Sequence, residues 1–340
     1  MESRSVILDH KPGAALHLST FFPATSARGP YADTLVVFLN GLALPSLSWN
    51  PAVERLISNR HEEAGLPLPA LLCYDRYGQG ESDPDPTDPP GTPYGHDLST
   101  AAEDLHALLT RVCRDYLDRE PDDTRLVLVC NSIGCALARL YAGAHPGRVE
   151  GLLFLDSMIA NTDFVSLFPD PDAATWGPDD DASLPPGVSP EDLRHARAKI
   201  AKIFHPTVPN GEKLDRRYLP QLLPRADAPA LPPGPSGKMP LLTVVGHDWD
   251  TFAEENEQNR FGWFYAGDIN SGLQGPMGIP KAVSNAYINP AWAAYNEDLT
   301  KLAESEGVKS AKGCGHFIQK DDPEFVASEL RSLLDAISTR

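Results

Sequence analysis

The 340-residue chain contains no C-x-x-C cysteine pair, no unbroken apolar run of 18 residues and no cluster of basic side chains. Each absence removes a class of protein. The five cysteines (Cys73, Cys113, Cys130, Cys135, Cys314) are scattered. They read as small buried hydrophobes in a reducing compartment, not as a disulfide framework. The lack of a long apolar stretch excludes a membrane-spanning helix. Residues 1–9, with Glu2 and Arg4 among them, lack the apolar core of a leader, so the expected compartment is the cytoplasm. Lys and Arg number 29 against 47 Asp and Glu, a net charge of −18. A phosphate backbone has to be met by clustered cations, so no nucleic-acid partner is expected. The ten histidines do not fall at ligand spacing with cysteines or acids, and neither a metal nor a cofactor is expected.

What is present is ordinary for a globular chain: 41% apolar and 22% charged residues, long enough for one large domain with an insertion or two small ones. Residues 5–22 predict a hairpin turned at Lys11-Pro12-Gly13. Buried strands are then expected at 35–39, 71–74, 126–130, 151–155 and 241–245. Helices are expected at 51–63, at 100–118 (opened by a Thr100/Glu103 capping box) and after Asp322-Pro323. This alternation implies an α/β architecture, a mostly parallel sheet with helices on both faces.

The alternation lapses between 155 and 241. Residues 161–238 are rich in proline and aspartate, with one clear helix over 190–204 capped by Ser189. So long a stretch is either a disordered insert or a cap. The apolar face Leu193, Ala196, Ile200, Ile203, Phe204 favours a cap inserted after the sixth strand, leaving core segments at 1–160 and 239–340. A second irregular stretch, 259–280, is rich in glycine and aromatics and shows no period.

The most informative segment is 126–141. A branched apolar run ends abruptly at Ser132, and a helical pattern starts at once, with Ile133, Ala136, Leu137, Leu140 and Tyr141 on one face. A serine on so tight a strand-to-helix corner is lifted out of the sheet. The Ile133 amide then aims at any oxyanion formed there, and the helix N-terminus favours negative charge. Similar corners serve phosphates in nucleotide-binding folds, and Cys130 stands where the usual G-x-S-x-G has its first glycine. The glycines at 78 and 80 form no phosphate loop, because no Lys-Ser or Lys-Thr follows them.

Three further motifs accompany the corner: Leu39-Asn40-Gly41-Leu42, the stretch Tyr-Asp-Arg-Tyr-Gly-Gln-Gly-Glu-Ser at 74–82, and Gly313-Cys314-Gly315-His316-Phe317. In this order, with Cys130-Asn131-Ser132-Ile133-Gly134 third, they resemble the α/β-hydrolase superfamily over nearly the whole chain apart from the cap. The resemblance implies an α/β-hydrolase fold with Ser132 as nucleophile. A serine hydroxyl needs an imidazole to take its proton, and His316 is in the matching position. The orienting acid has two candidate places. Asp156 ends the sixth strand, where spacing favours it; Asp248, with Asp250 behind it, follows the seventh in Gly246-His247-Asp248-Trp249-Asp250. The amides of Leu42 and Ile133 would form the oxyanion hole.

These features together lead to the expectation of a cofactor-independent serine hydrolase cleaving an ester, lactone or thioester of a medium-sized, largely apolar small molecule. Two alternatives stay open. Asn131 beside the serine resembles the elbow of C–C bond hydrolases, and a hydrolase fold can also serve as a small-molecule binding protein with little turnover.

Overall fold

The branched apolar runs become the middle of an eight-stranded sheet in the computed structural model, which describes residues 1–23, 29–62, 68–259 and 278–340. The strands are β1 (Glu2–Ile7), β2 (Ala15–Phe21), β3 (Thr34–Leu39), β4 (Ala70–Tyr74), β5 (Arg125–Ser132), β6 (Val149–Ser157), β7 (Leu241–Gly246) and β8 (Val308–Ser310). Their order across the sheet is β1-β2-β4-β3-β5-β6-β7-β8. The β1–β2 and β2–β4 pairs are antiparallel, and the rest are parallel.

Burial explains the composition of each strand. The central strands β3, β4 and β6 are buried along their whole length and read as continuous apolar runs, whereas β2 alternates half-buried and buried positions. Alternate side chains of the parallel strands divide between two cores. Leu35, Val37, Leu128, Cys130 and Phe154 face the helices Leu98–Tyr116 and Ile133–Ala144. Val36, Phe38, Val129 and Leu155 face the helices Asn50–Glu62 and Pro323–Ser338. The result is a helix–sheet–helix sandwich. One boundary differs from expectation: the cap of the first of these helices is Asp97, whose side chain accepts from the Thr100 amide, and not the Thr100/Glu103 box. Starting at Leu98 buries that leucine, which a start at Thr100 would leave in a loop.

Between β6 and β7 the helix Pro190–Ile203 is closed at its start by a reciprocal box, Ser189 with Asp192. Only short turns accompany it, at Val165–Leu167, Pro178–Ala182 and Leu219–Leu222. Leu193, Ala196 and Ile200 are buried, while Asp172, Asp179, Asp180 and Asp181 lie in solvent. After β7 comes the helix Trp249–Glu257, followed by helical segments from Lys281 to Leu299 that the sequence pattern does not announce. Most of the stretch 259–280 lies outside the described residues.

The chain leaves the sheet centre in opposite directions after β3 and after β5. Ligands of open α/β sheets bind beyond the carboxyl ends of the strands at such a reversal. Leu39 pairs with Cys130, so the end of β3 and the β5 corner lie side by side. Their closeness requires glycine at 134, where a Cβ would stand 2.3 Å from the Leu39 carbonyl oxygen. Gly134→Ala is therefore expected to destabilise by about 1–3 kcal/mol or more. Gly143→Ala on the same helix, with nothing within 4 Å of the added Cβ, should be neutral or gain up to about 1 kcal/mol. Urea unfolding midpoints of the two variants check this; equal stabilities would contradict the packing argument.

Candidate active site

Ser132 closes β5 with φ 55° and ψ −122°, a backbone region that side-chain-bearing residues rarely adopt. Conformations of this kind cost about 1–3 kcal/mol and persist where the surroundings fix them. Here β5 enters the corner and the helix Ile133–Ala144 leaves it, with Gly41 packed close enough that a Cβ would lie 3.5 Å from that of Ser132. The Ser132 side chain opens into a pocket. Leu42, Ile133, Met158, Phe164, Arg216, Trp292 and His316 contribute to its walls, as do Ile203 and Phe204 from the segment between β6 and β7.

Asp156 reaches the same place through an irregularity in β6. Asn131 pairs with Leu155 and Ser132 with Ser157, so Asp156 is skipped in the ladder and takes φ 44°. Such a bulge re-aims the skipped side chain. The fully buried carboxylate turns to two imidazoles: Oδ2 lies 2.6 Å from His316 Nδ1, and Oδ1 lies 2.9 Å from His247 Nδ1. Burial pushes the Asp156 carboxyl up, but the charges and hydrogen bonds of His247 and His316 outweigh it and bring it down to about 2. Among the sequence candidates for the acid, Asp156 is thus the one beside His316. Asp248 accepts from the Thr251 amide at 3.0 Å and caps the helix Trp249–Glu257, while exposed Asp250 pairs with Lys281.

His316 is held by its backbone as well as by its ring. Asn131 donates to the carbonyls of His316 and Leu155, both at 3.0 Å, and accepts from Gln319, so β5, β6 and the loop after β8 meet on one amide. Trp292 donates from its indole to the Ser157 carbonyl at 2.7 Å and sets its ring edge-on to His316, with centroids 5.4 Å apart. Neither Trp292 nor His247 is marked out by the sequence. Their roles depend on the bulge and on a helix whose apolar stripe is broken by buried Asn289 and Asn296.

The loop after β3 is fixed from a distance. Arg76 donates to the Asn40 and Gly41 carbonyls at 2.8 and 2.9 Å, and its guanidinium is bidentate to Glu212 at 3.0 Å on each arm. Glu212 also accepts from the Ala43 amide and from Gln79. The partner of Arg76 therefore lies 136 residues away, in the segment before β7, and not at its neighbour Asp75. Asp75 instead accepts from the amides of Ser46 and Glu81.

Among the described residues, Asp85, Asp88 and His96 bring potential metal ligands within 4.8 Å of one another. The Lys11 ammonium already sits on Asp85 and, at 2.7 Å, on Asp104, so the cluster carries its own cation. Also among the described residues, no helix is long and apolar enough to cross a membrane.

The model of the alpha/beta hydrolase family matches residues 36–329. No curated protein matches the sequence. Among solved structures, a membrane phospholipase A described as a bacterial virulence factor is 19% identical, over 100% of this chain and 87% of that one, with a TM-score of 0.51. An epoxide hydrolase from Vigna radiata is 15% identical, covering 98% of each chain, with a TM-score of 0.51. A haloalkane dehalogenase from Agrobacterium tumefaciens C58 is 18% identical, over 99% and 97%, with a TM-score of 0.50. These likenesses speak for the fold.

The local contacts separate the two acidic positions by stability. Asp248→Ala should cost about 1 kcal/mol, the value of a helix cap. Glu212→Ala strands a buried guanidinium and should cost about 3–5 kcal/mol. Denaturant titration measures both, and a Glu212→Ala cost no larger than that of Asp248→Ala would contradict the role assigned to the ion pair.

Proposed function

This chain belongs to the alpha/beta hydrolase family, and from that premise we propose that it is a serine hydrolase acting on an ester, lactone or thioester. The observation that carries the reading is the 2.6 Å contact between His316 and buried Asp156, with His316 and the strained Ser132 on the wall of one pocket. With Nδ1–H donated to the carboxylate, the imidazole presents its Nε2 lone pair to the serine. Ser132 Oγ attacks the carbonyl carbon as His316 takes its proton. The tetrahedral oxyanion is met by the amides of Leu42 and Ile133, and the positive end of the helix Ile133–Ala144 adds to its stabilisation. Collapse expels the alcohol or thiol, which leaves with the proton from His316. Water, deprotonated by the same imidazole, then releases the acid.

The surroundings favour a medium-sized, largely apolar substrate. Beside the serine pocket lies a second, largely apolar space, walled by Phe164, Phe168, Ile200, Phe204, Phe252 and Trp292 among others. Phe164, Phe204 and Trp292 belong to both. Residues 161–238 supply much of this wall, and we read them as a lid between core segments 1–160 and 239–340, excluding water from the acyl-enzyme. The carbon–carbon alternative would use the same Ser132, His316 and Asp156; the Asn131 side chain that suggests it is engaged with Leu155, His316 and Gln319.

A fluorophosphonate should label Ser132, located by peptide mass spectrometry, and Ser132→Ala should abolish both label and turnover of 4-nitrophenyl esters. Asp156→Asn should lower kcat by about four orders of magnitude, while Asp248→Asn leaves a working enzyme. Labelling elsewhere, or full turnover by Ser132→Ala, would overturn the assignment; ligand binding without label or turnover would favour a binding protein. Ile203→Ser and Phe204→Ser should change the acyl-chain-length preference with labelling intact, and an unchanged profile in folded variants would refute the lid.

A further inference from the structure

His247 occupies an unusual position. It is 4% exposed, stacked on Phe252 with ring centroids 4.0 Å apart, and edge-on to Trp292. Both ring nitrogens face hydrogen-bond acceptors. Nδ1 meets Asp156 Oδ1 at 2.9 Å, and an ionised carboxylate can only accept. Nε2 meets Asn289 Oδ1 at 3.0 Å. The orientation of that amide is set on its other side, where Asn289 Nδ2 donates to the Trp249 carbonyl at 3.1 Å and to Asn285 Oδ1 at 2.7 Å. A backbone carbonyl can only accept, so the amide cannot be turned round without placing oxygen against oxygen. A neutral imidazole has one N–H and would leave one of these two contacts between lone pairs.

We propose that His247 is a buried imidazolium, the permanent counter-ion of Asp156, and a positioning residue for the base His316. The proposal rests on the serine-hydrolase reading, because it assigns Asp156 as the orienting acid. The titratable groups facing His247 are Asp156 from β6, Asp248 next to it in the chain, and His316 on the other oxygen of Asp156. Burial works against the charged ring, and the charge and hydrogen bond of Asp156, with the bond to Asn289 and the charge of Asp248, outweigh it and raise His247 above the usual imidazole value.

The consequence falls on the base. A carboxylate shared with a fixed cation is a weaker partner for a second imidazolium, and the cation itself opposes a second positive charge across the same carboxylate. Loss of the fixed cation would therefore leave Asp156 a stronger partner for the protonated base.

His247→Gln keeps a neutral amide donor toward Asp156 and removes the charge. The acid limb of the kcat/KM profile on a 4-nitrophenyl ester should move up by about one pH unit, about a tenfold loss on the acidic side, with a smaller change on the alkaline plateau. A uniform loss at all pH values, or an unmoved limb, would reduce His247 to a packing role and overturn the proposal. Nitrogen-15 NMR of the histidines in the unaltered protein needs neither the variant nor turnover. Both ring nitrogens of His247, assigned through contacts to the Phe252 and Trp292 rings, should be protonated from pH 6 to 8, and one bare nitrogen at pH 7 would refute the charge. Ser132→Ala should leave that spectrum unchanged, so a failure of the serine assignment stays distinguishable from a failure of this one.

Discussion

Asp156 has no partner in the neighbouring strand, since Asn131 pairs with Leu155 and Ser132 with Ser157. The rest of the site is arranged around that omission. Without it, Asp156 would point to one face of the sheet like any residue of β6, and its carboxylate would enter one of the two apolar cores. With it, the backbone turns through φ 44° and the carboxylate meets two imidazoles from two other segments of the chain. The bulge is itself held in place by Asn131 on the Leu155 carbonyl and by Trp292 on the Ser157 carbonyl, one bond on each side of the skipped residue.

Four of the seven non-glycine residues with positive φ among the described residues fall in the same region. Ser132, Asp156, Ala43 and Phe164 all have positive φ without being glycine, and all four lie at or beside the pocket. Such residues persist only where their neighbours over-determine them. The bonds that do so are buried: Asn131 clamps two carbonyls, and Glu212 receives the Ala43 amide. The energy to hold them comes from the apolar layers on either side of the sheet.

Much of this was legible in the chain. The parallel strands are recognisable because burial on both faces demands unbroken apolar runs, and the corner at Ser132 because a strand run changes there to a helical period without a loop. Spacing placed Asp156 ahead of Asp248, and the contact to His316 lies with Asp156. Other parts carry no local signal. β8 is three residues long and exposed at both ends, so it has no pattern to find. The ion pair of Arg76 with Glu212 joins positions that only the fold brings together. His247 stands beside an acid that draws the attention, and its partners Asp156 and Asn289 come from a bulge and from a helix entered through a wide turn, Ser284–Ile288. Pro290, with no N–H to give, fits a local departure from regular helical bonding there.

Glu212 ties the segment between β6 and β7, proposed above as a lid, to the loop after β3. Lids are commonly regarded as interchangeable modules, to be grafted from one scaffold to another in order to change what the scaffold accepts. In this chain a graft that replaced 161–238 would also remove the carboxylate on which Arg76, Gln79 and the Ala43 amide converge. The recipient would keep its serine, its imidazole and its sheet, yet carry an uncompensated guanidinium directly beneath the loop after β3. Recombination at this junction therefore has to transfer an acidic side chain in register with Arg76, or replace both members of the pair together.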